Sequence, residues 1–128
     1  MKMTYHVLVV DDEPDILELL SIYLSMNDRI EVHTAENGEI AVEMYHDLAT
    51  NGSRPGIILM DLMMPVMGGI EATRKILEYD SDAKIYVVTA YTEPDLIRDA
   101  MDAGAKDVIN KMAGFPEISE MVMGVLTS

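Results

Sequence analysis

Two hydrophobic periods take turns along this chain. Tyr5–Val10 (YHVLVV) is a β-rich run and Ile30–Ala35 (IEVHTA) alternates loosely, so each predicts a strand. Ile57–Met60 (IILM) is apolar at every position between Pro55-Gly56 and Asp61, which predicts a short strand covered on both faces. Ala83–Thr89 (AKIYVVT) predicts a fourth strand, and Lys106–Asn110 contains a fifth. Between these runs the period lengthens to that of an amphipathic helix. Ile16, Leu20, Tyr23 and Leu24 recur at helical spacing, as do Ile40, Ala41, Met44, Tyr45 and Leu48. Ile70, Thr73, Ile76 and Leu77 set a third helix. A fourth places Leu96, Ile97, Ala100 and Met101 on its inner side and stops at Gly104. In the last, Ile118, Met121, Val122 and Val125 fall at i, i+3, i+4 and i+7. Pro14 and Pro116 suit helix first turns. Five strands alternating with five helices predict a doubly wound α/β fold on a five-stranded parallel sheet, because parallel strands need crossovers and helices supply them. No linker or repeat interrupts residues 1–128, so a single domain is expected.

Composition narrows the classes of function. Apolar residues make up 49%, too many for a disordered chain. No apolar run approaches a membrane span or a signal-peptide core, so a soluble cytoplasmic protein is expected. The absence of cysteine removes disulfides, thiolate nucleophiles and thiolate metal sites. Against 9 basic residues stand 23 acidic ones, a formal net charge of −14. Such a surface repels phosphate backbones and anionic lipid, which argues against direct nucleic-acid or membrane binding. Twelve methionines against one phenylalanine is an unusual core. Four of them (Met60, Met63, Met64, Met67) crowd the central strand and its loop, where adaptable packing explains them and a redox-sensing role has no other support. His6, His33 and His46 show no ligand spacing and read as structural or surface groups.

The candidate chemistry lies at the ends of the strands. The first ends in Asp11-Asp12-Glu13, the third in Asp61, the fourth at Thr89 and the fifth at Lys111. In a parallel sheet these all fall along one edge, where open α/β folds place their ligand crevices. Two carboxylates about 4 Å apart repel by about 4 kcal/mol at an effective dielectric of 20. A sulfur-free oxygen cluster of this kind suits Mg²⁺, which keeps waters and takes phosphate oxygens. Lys111 adds a fixed positive charge and Thr89 a hydroxyl, so the set forms a site for a phosphoryl group. A carboxylate there can also serve as the nucleophile.

Asp11-Asp12, Asp61 with Pro65 and Gly68-Gly69, Thr89-Ala90 and Lys111, in this order, resemble the receiver domain of two-component response regulators over almost the whole chain. The resemblance implies the flavodoxin-like fold of the chemotaxis receiver and a phosphorelay role. Asp61 would be the phosphoacceptor, taking its phosphoryl group from a phosphohistidine on a sensor kinase or phosphotransfer protein. Asp12, Asp61 and the Met63 carbonyl would hold Mg²⁺ (or Mn²⁺), and Asp11 would act mostly through water. Thr89 and Lys111 would contact the phosphoryl oxygens, and Met63 and Tyr91 would flank the path of the attacking water. The receiver would catalyse only its own phosphorylation and dephosphorylation. A monomeric, stand-alone receiver that changes its binding to a downstream protein is expected.

Three positions depart from that pattern. Val108 stands where the family usually has a switch aromatic. Met112 replaces the proline after the lysine, so a trans Lys111–Met112 peptide is expected, with Lys111 placed by the packing of Val108 and Ile109. Ala113 follows where another aromatic is frequent. The alternatives are a Mg²⁺-dependent phosphohydrolase, which would want a cap insertion, and a flavodoxin-like electron carrier. The latter would need a Ser/Thr/Gly-rich loop where this chain has three acids.

Overall fold

The computed structural model describes residues 3–128. Its elements run β1 (Tyr5–Val10), α1 (Pro14–Ser25), β2 (Ile30–Ala35), α2 (Gly38–Thr50), β3 (Ile57–Met60), α3 (Gly69–Tyr79), β4 (Ile85–Thr89), α4 (Pro94–Asp102), β5 (Asp107–Asn110) and α5 (Phe115–Leu126). All strand pairs are parallel and the sheet order is β2-β1-β3-β4-β5. The doubly wound arrangement expected from the sequence is the one observed.

Alternation along the strands feeds two cores. Val7 and Val9 of β1 and Ile57 and Leu59 of β3 pack with Leu17, Leu20 and Leu24 of α1 and Ile118 and Val122 of α5. Leu8, Val10, Ile58 and Met60 face the other way, onto Ala41 and Tyr45 of α2 and Ala72 and Ile76 of α3. Covered on both faces, β3 is buried at every position. Such two-sided burial leaves no room for alternation, hence the unbroken apolar run.

The registers place the strand ends. Val10 pairs with Met60 and Thr89 with Asn110, so Asp11, Asp61 and Lys111 are each the first residue beyond a strand at one edge. The ladder extends one step further, with the Asp61 N–H donating to the Val10 carbonyl at 3.0 Å.

Several boundaries differ from expectation. β4 starts at Ile85 because Ala83 closes a turn: its N–H donates to the Asp80 carbonyl at 3.1 Å. Met101 and Ile40, assigned to helix faces by spacing, are 42% and 37% exposed. α4 is only 9 residues long and buries Ala100 alone, so its apolar stripe outruns the surface available to cover it. Gly68 caps α3 and Gly69 is its first residue, so the glycine pair starts the helix as well as ending the loop. Lys111–Ala113 forms a 3₁₀ turn with no sequence signal of helical period.

Candidate functional site

Asp11 and Asp61 emerge from β1 and β3 almost fully buried, and Thr89 at the end of β4 has no exposed surface. Asp12 is exposed. Carboxylate oxygens of Asp11, Asp12 and Asp61 all lie within 4.8 Å of one another. Lys111 reaches back into this cluster from beyond β5. Its Nζ lies 2.7 Å from Asp11 Oδ2, 3.2 Å from Asp61 Oδ2 and 3.4 Å from Glu13 Oε1.

Local backbone holds the two buried carboxylates. The Leu62 N–H donates to Asp61 Oδ1 at 2.8 Å, and the Glu13 N–H donates to Asp11 Oδ1 at 3.0 Å. Burial raises the Asp11 carboxyl above its ordinary value, against the lowering effect of its bond to Lys111. Burial also opposes the charge on Lys111, yet the bond to Asp11 and the field of Asp61 outweigh it and hold the ammonium well above its usual range. The lysine is therefore a permanent cation in a nest of acids. Asp11, Asp12, Glu13 and Asp61 carry one formal negative charge each when ionised, so a single ammonium leaves the cluster negative. The uncompensated charge and the all-oxygen donor set fit a hard divalent ion, and Asp11, Asp12 and Asp61 are the side chains that would hold it.

Lys111 owes its position to a feature that sequence reasoning missed. Asn110 Oδ1 accepts the Met112 N–H at 2.9 Å and caps the 3₁₀ turn that carries the lysine. The Lys111–Met112 peptide is trans, as expected. Val108 and Ile109 are both half-buried, on opposite faces of β5. Val108 packs against the cluster of Leu62, Val87, Ala100 and Ala105. Met112 is 87% exposed.

The loop after Asp61 is pinned by close approach. A Cβ on Gly69 would sit 2.0 Å from the Asp61 carbonyl oxygen, so only glycine permits α3 to start against the strand end. The Gly69 N–H donates to the Leu62 carbonyl at 2.8 Å. Within the loop, Met67 N–H donates to the Pro65 carbonyl at 2.8 Å around Val66, whose φ is 69°. That is a γ-turn with a β-branched residue in the left-handed region, a strained position beside the site.

Thr89 Oγ1 accepts the Tyr91 N–H at 3.1 Å. The Met63 and Tyr91 side chains are about half exposed, each two residues beyond a buried site residue. Glu13 was expected only as an acid at the start of the first helix, and its contact with Lys111 spans 98 positions that no local pattern reveals. The structure divides the three histidines. His6 and His33 are brought together with Glu31, because β1 and β2 pair in register; His46 stays apart on α2.

Comparison with known proteins agrees with this geometry. The response regulator receiver domain family matches residues 7–123. The chemotaxis protein CheY of Halobacterium salinarum is 36% identical over 126 residues, covering 98% of this chain and all of that protein. CheY of Treponema pallidum is 34% identical over 124 residues, 95% of this chain and 83% of that protein. Among solved structures, a chain of the CheX–CheY–BeF₃–Mg²⁺ complex from Borrelia burgdorferi superposes with a TM-score of 0.83 at 29% identity, covering 96% of this chain and 90% of that one. These relatives give the phosphohydrolase alternative no support. With its acidic strand ends, its lysine and its sheet order, the chain belongs to the response regulator receiver domains of two-component signalling.

Proposed function

We propose that Asp61 is the phosphoacceptor of this receiver. The observation that carries the reading is the convergence of Asp11, Asp61 and Lys111, with the ammonium 2.7 and 3.2 Å from the two carboxylates. A carboxylate oxygen of Asp61 attacks the phosphorus of a phosphohistidine. The P–O bond forms as the P–N bond breaks, and the departing imidazole takes up a proton from solvent. Lys111 passes from the carboxylates to the equatorial oxygens, where charge accumulates in the transition state. Thr89 exchanges its acceptor role toward the Tyr91 N–H for a donor role toward the phosphoryl group.

Receiver domains bind Mg²⁺ at their acidic pocket, and here Asp11, Asp12 and Asp61, with the Met63 carbonyl, would supply its ligands. When bound, the ion neutralises the carboxylates and the incoming phosphoryl oxygens. Mn²⁺, which accepts the same oxygen donors, serves in its place. CheY-like receivers act with histidine kinases and downstream targets; those of this chain are a sensor kinase or phosphotransfer protein and a partner protein rather than DNA or membrane. Net charge of −14 supports that choice, and it also supports a soluble monomer. No helix among the described residues is long and apolar enough to cross a membrane.

The test is treatment with a small phosphodonor and Mg²⁺, read by intact-mass spectrometry. One added phosphate is expected in the wild type and none in Asp61→Asn or with chelator. Full phosphorylation of Asp61→Asn would overturn the assignment. The aspartyl phosphate is expected to be long-lived, because Met63 and Tyr91 offer the attacking water no strong base. Removing orientation worth about 1.4 kcal/mol slows hydrolysis about tenfold. Met63→Asn and Tyr91→Glu should therefore release phosphate several-fold faster after donor removal. Equal decay in all three proteins would show that these side chains do not set the lifetime.

A further inference from the structure

At the opposite end of β1 from the acid cluster, the structure assembles two imidazoles and a carboxylate. His6 Nδ1 lies 3.1 Å from His33 Nε2 and 3.5 Å from Glu31 Oε2, and one ligand atom from each of the three residues falls within 4.8 Å of the others. The parallel register explains the meeting. His6 pairs with Glu31 and Leu8 with His33, so all three side chains leave the same face of the sheet, Glu31 straight across from His6 and His33 on the diagonal. His6 is five residues before Asp11 on the same strand, roughly 16 Å away at about 3.3 Å per residue.

We propose that His6, Glu31 and His33 form a binding site for an imidazole-preferring divalent cation of the Zn²⁺ class, separate from the Mg²⁺ pocket. Ligand spacing supports it. Bonds of about 2.0–2.1 Å in a tetrahedron put neighbouring donor atoms roughly 3.3 Å apart, close to the two separations observed. Two nitrogens and one oxygen suit Zn²⁺, Ni²⁺ or Cu²⁺ and disfavour Mg²⁺, which demands oxygen donors and keeps its water. His6 is 17% exposed and Glu31 59%, so an ion can enter from solvent and keep an open fourth position. In the metal-free pair one ring donates its N–H to the other; on binding, that proton moves through water to the ring's second nitrogen and both facing lone pairs take the ion. The bond network then ties the edge strand β2 to β1. No part of this depends on which residue accepts phosphate.

Zn²⁺ is the probe, titrated against a chromophoric chelator in excess Mg²⁺ with the full chain. Because carboxylate clusters also take Zn²⁺, the same titration is run on the Asp12→Asn, Asp61→Asn double variant. One Zn²⁺ equivalent should persist there and disappear in His6→Gln, His33→Gln. Each single histidine variant should lose more than the roughly 10–100-fold that an outer-shell partner costs, and Glu31→Gln should lose less. Histidine ring resonances of the wild type provide a readout free of folding effects: those of His6 and His33 should shift on Zn²⁺ addition while those of His46 stay. Binding that vanishes with the aspartates, unmoved His6 and His33 resonances, or no saturable binding at micromolar Zn²⁺ would each overturn the site.

Discussion

Gly69 shows how a single hydrogen in place of a methyl group positions the chemistry. Its α-carbon lies so close to Asp61 that an added Cβ would meet the Asp61 carbonyl oxygen at 2.0 Å and the Leu62 α-carbon at 3.0 Å. Both obstacles are backbone, which cannot rotate aside. Gly69→Ala must therefore push α3 away from β3 or push Asp61 out of line with Asp11 and Lys111. Overpacking of this kind costs about 1–3 kcal/mol. The expected outcome is a lower unfolding midpoint together with slower phosphorylation from a small phosphodonor. A variant as fast and as stable as the wild type would show that the loop absorbs the methyl without moving Asp61. At this scale the sequence was informative about placement at strand ends, as for Asp11, Asp61, Thr89 and Lys111. It was silent where the role depends on a partner far along the chain. Glu13 against Lys111 and His6 against His33 are of that kind, because register, not spacing, brings them together.

Elements are locked to one another by polar pins as well as by apolar faces, and one such pin joins α2 to the end of α3. Tyr45 is fully buried and donates its hydroxyl to Asp80 Oδ2 at 2.6 Å, while Arg54 Nε, from the loop before β3, donates to the same oxygen at 2.7 Å. The Tyr45 bond, and then Arg54, hold the Asp80 carboxyl below its ordinary 3.8. Burial, followed by that same bond, pushes the Tyr45 phenol up to about 12. A depressed carboxylate contributes stability that is complete above 3.8 and is lost as pH falls through the lower folded-state value. A raised phenol contributes below its ordinary 10.0 and loses it as pH climbs to about 12. Tyr45→Phe should cost about 1.5–3 kcal/mol near neutrality, the range for a hydrogen bond to a charged group. The deficit should shrink at both pH extremes. Unfolding midpoints measured across pH test this, and parallel curves for the two proteins would show that the pin adds nothing. Periodicity revealed the helices this pin joins but not the pin itself. It likewise overextended β4 to Ala83, which the Asp80 turn takes over, and overcounted the inner face of α4, where Met101 is left outside.

The whole molecule carries its charge unevenly matched to its needs. The alternation of strands and helices, and with it the parallel doubly wound class, follows from apolar patterning, whereas the order β2-β1-β3-β4-β5 is set by strand pairing that patterning does not specify. Electrostatics works against that fold: 23 acidic groups face 9 basic ones, and three carboxylates are gathered within 4.8 Å at the sheet edge. Two different remedies act on these two problems. Diffuse repulsion over the surface is screened by any salt, since the screening length falls to about 8–10 Å at physiological ionic strength. The clustered carboxylates respond to a bound cation instead, by mass action: at a concentration 100 times its dissociation constant an ion stabilises the folded state by about 2.7 kcal/mol. NaCl should therefore raise the unfolding midpoint gradually in the wild type and in Asp12→Asn, Asp61→Asn alike. MgCl₂ at matched ionic strength should raise it further in the wild type, saturating with concentration, and should add nothing beyond NaCl in the double variant. Identical curves for the two salts in the wild type would mean that the pocket, as folded, does not hold the ion and that Lys111 alone keeps the acids together.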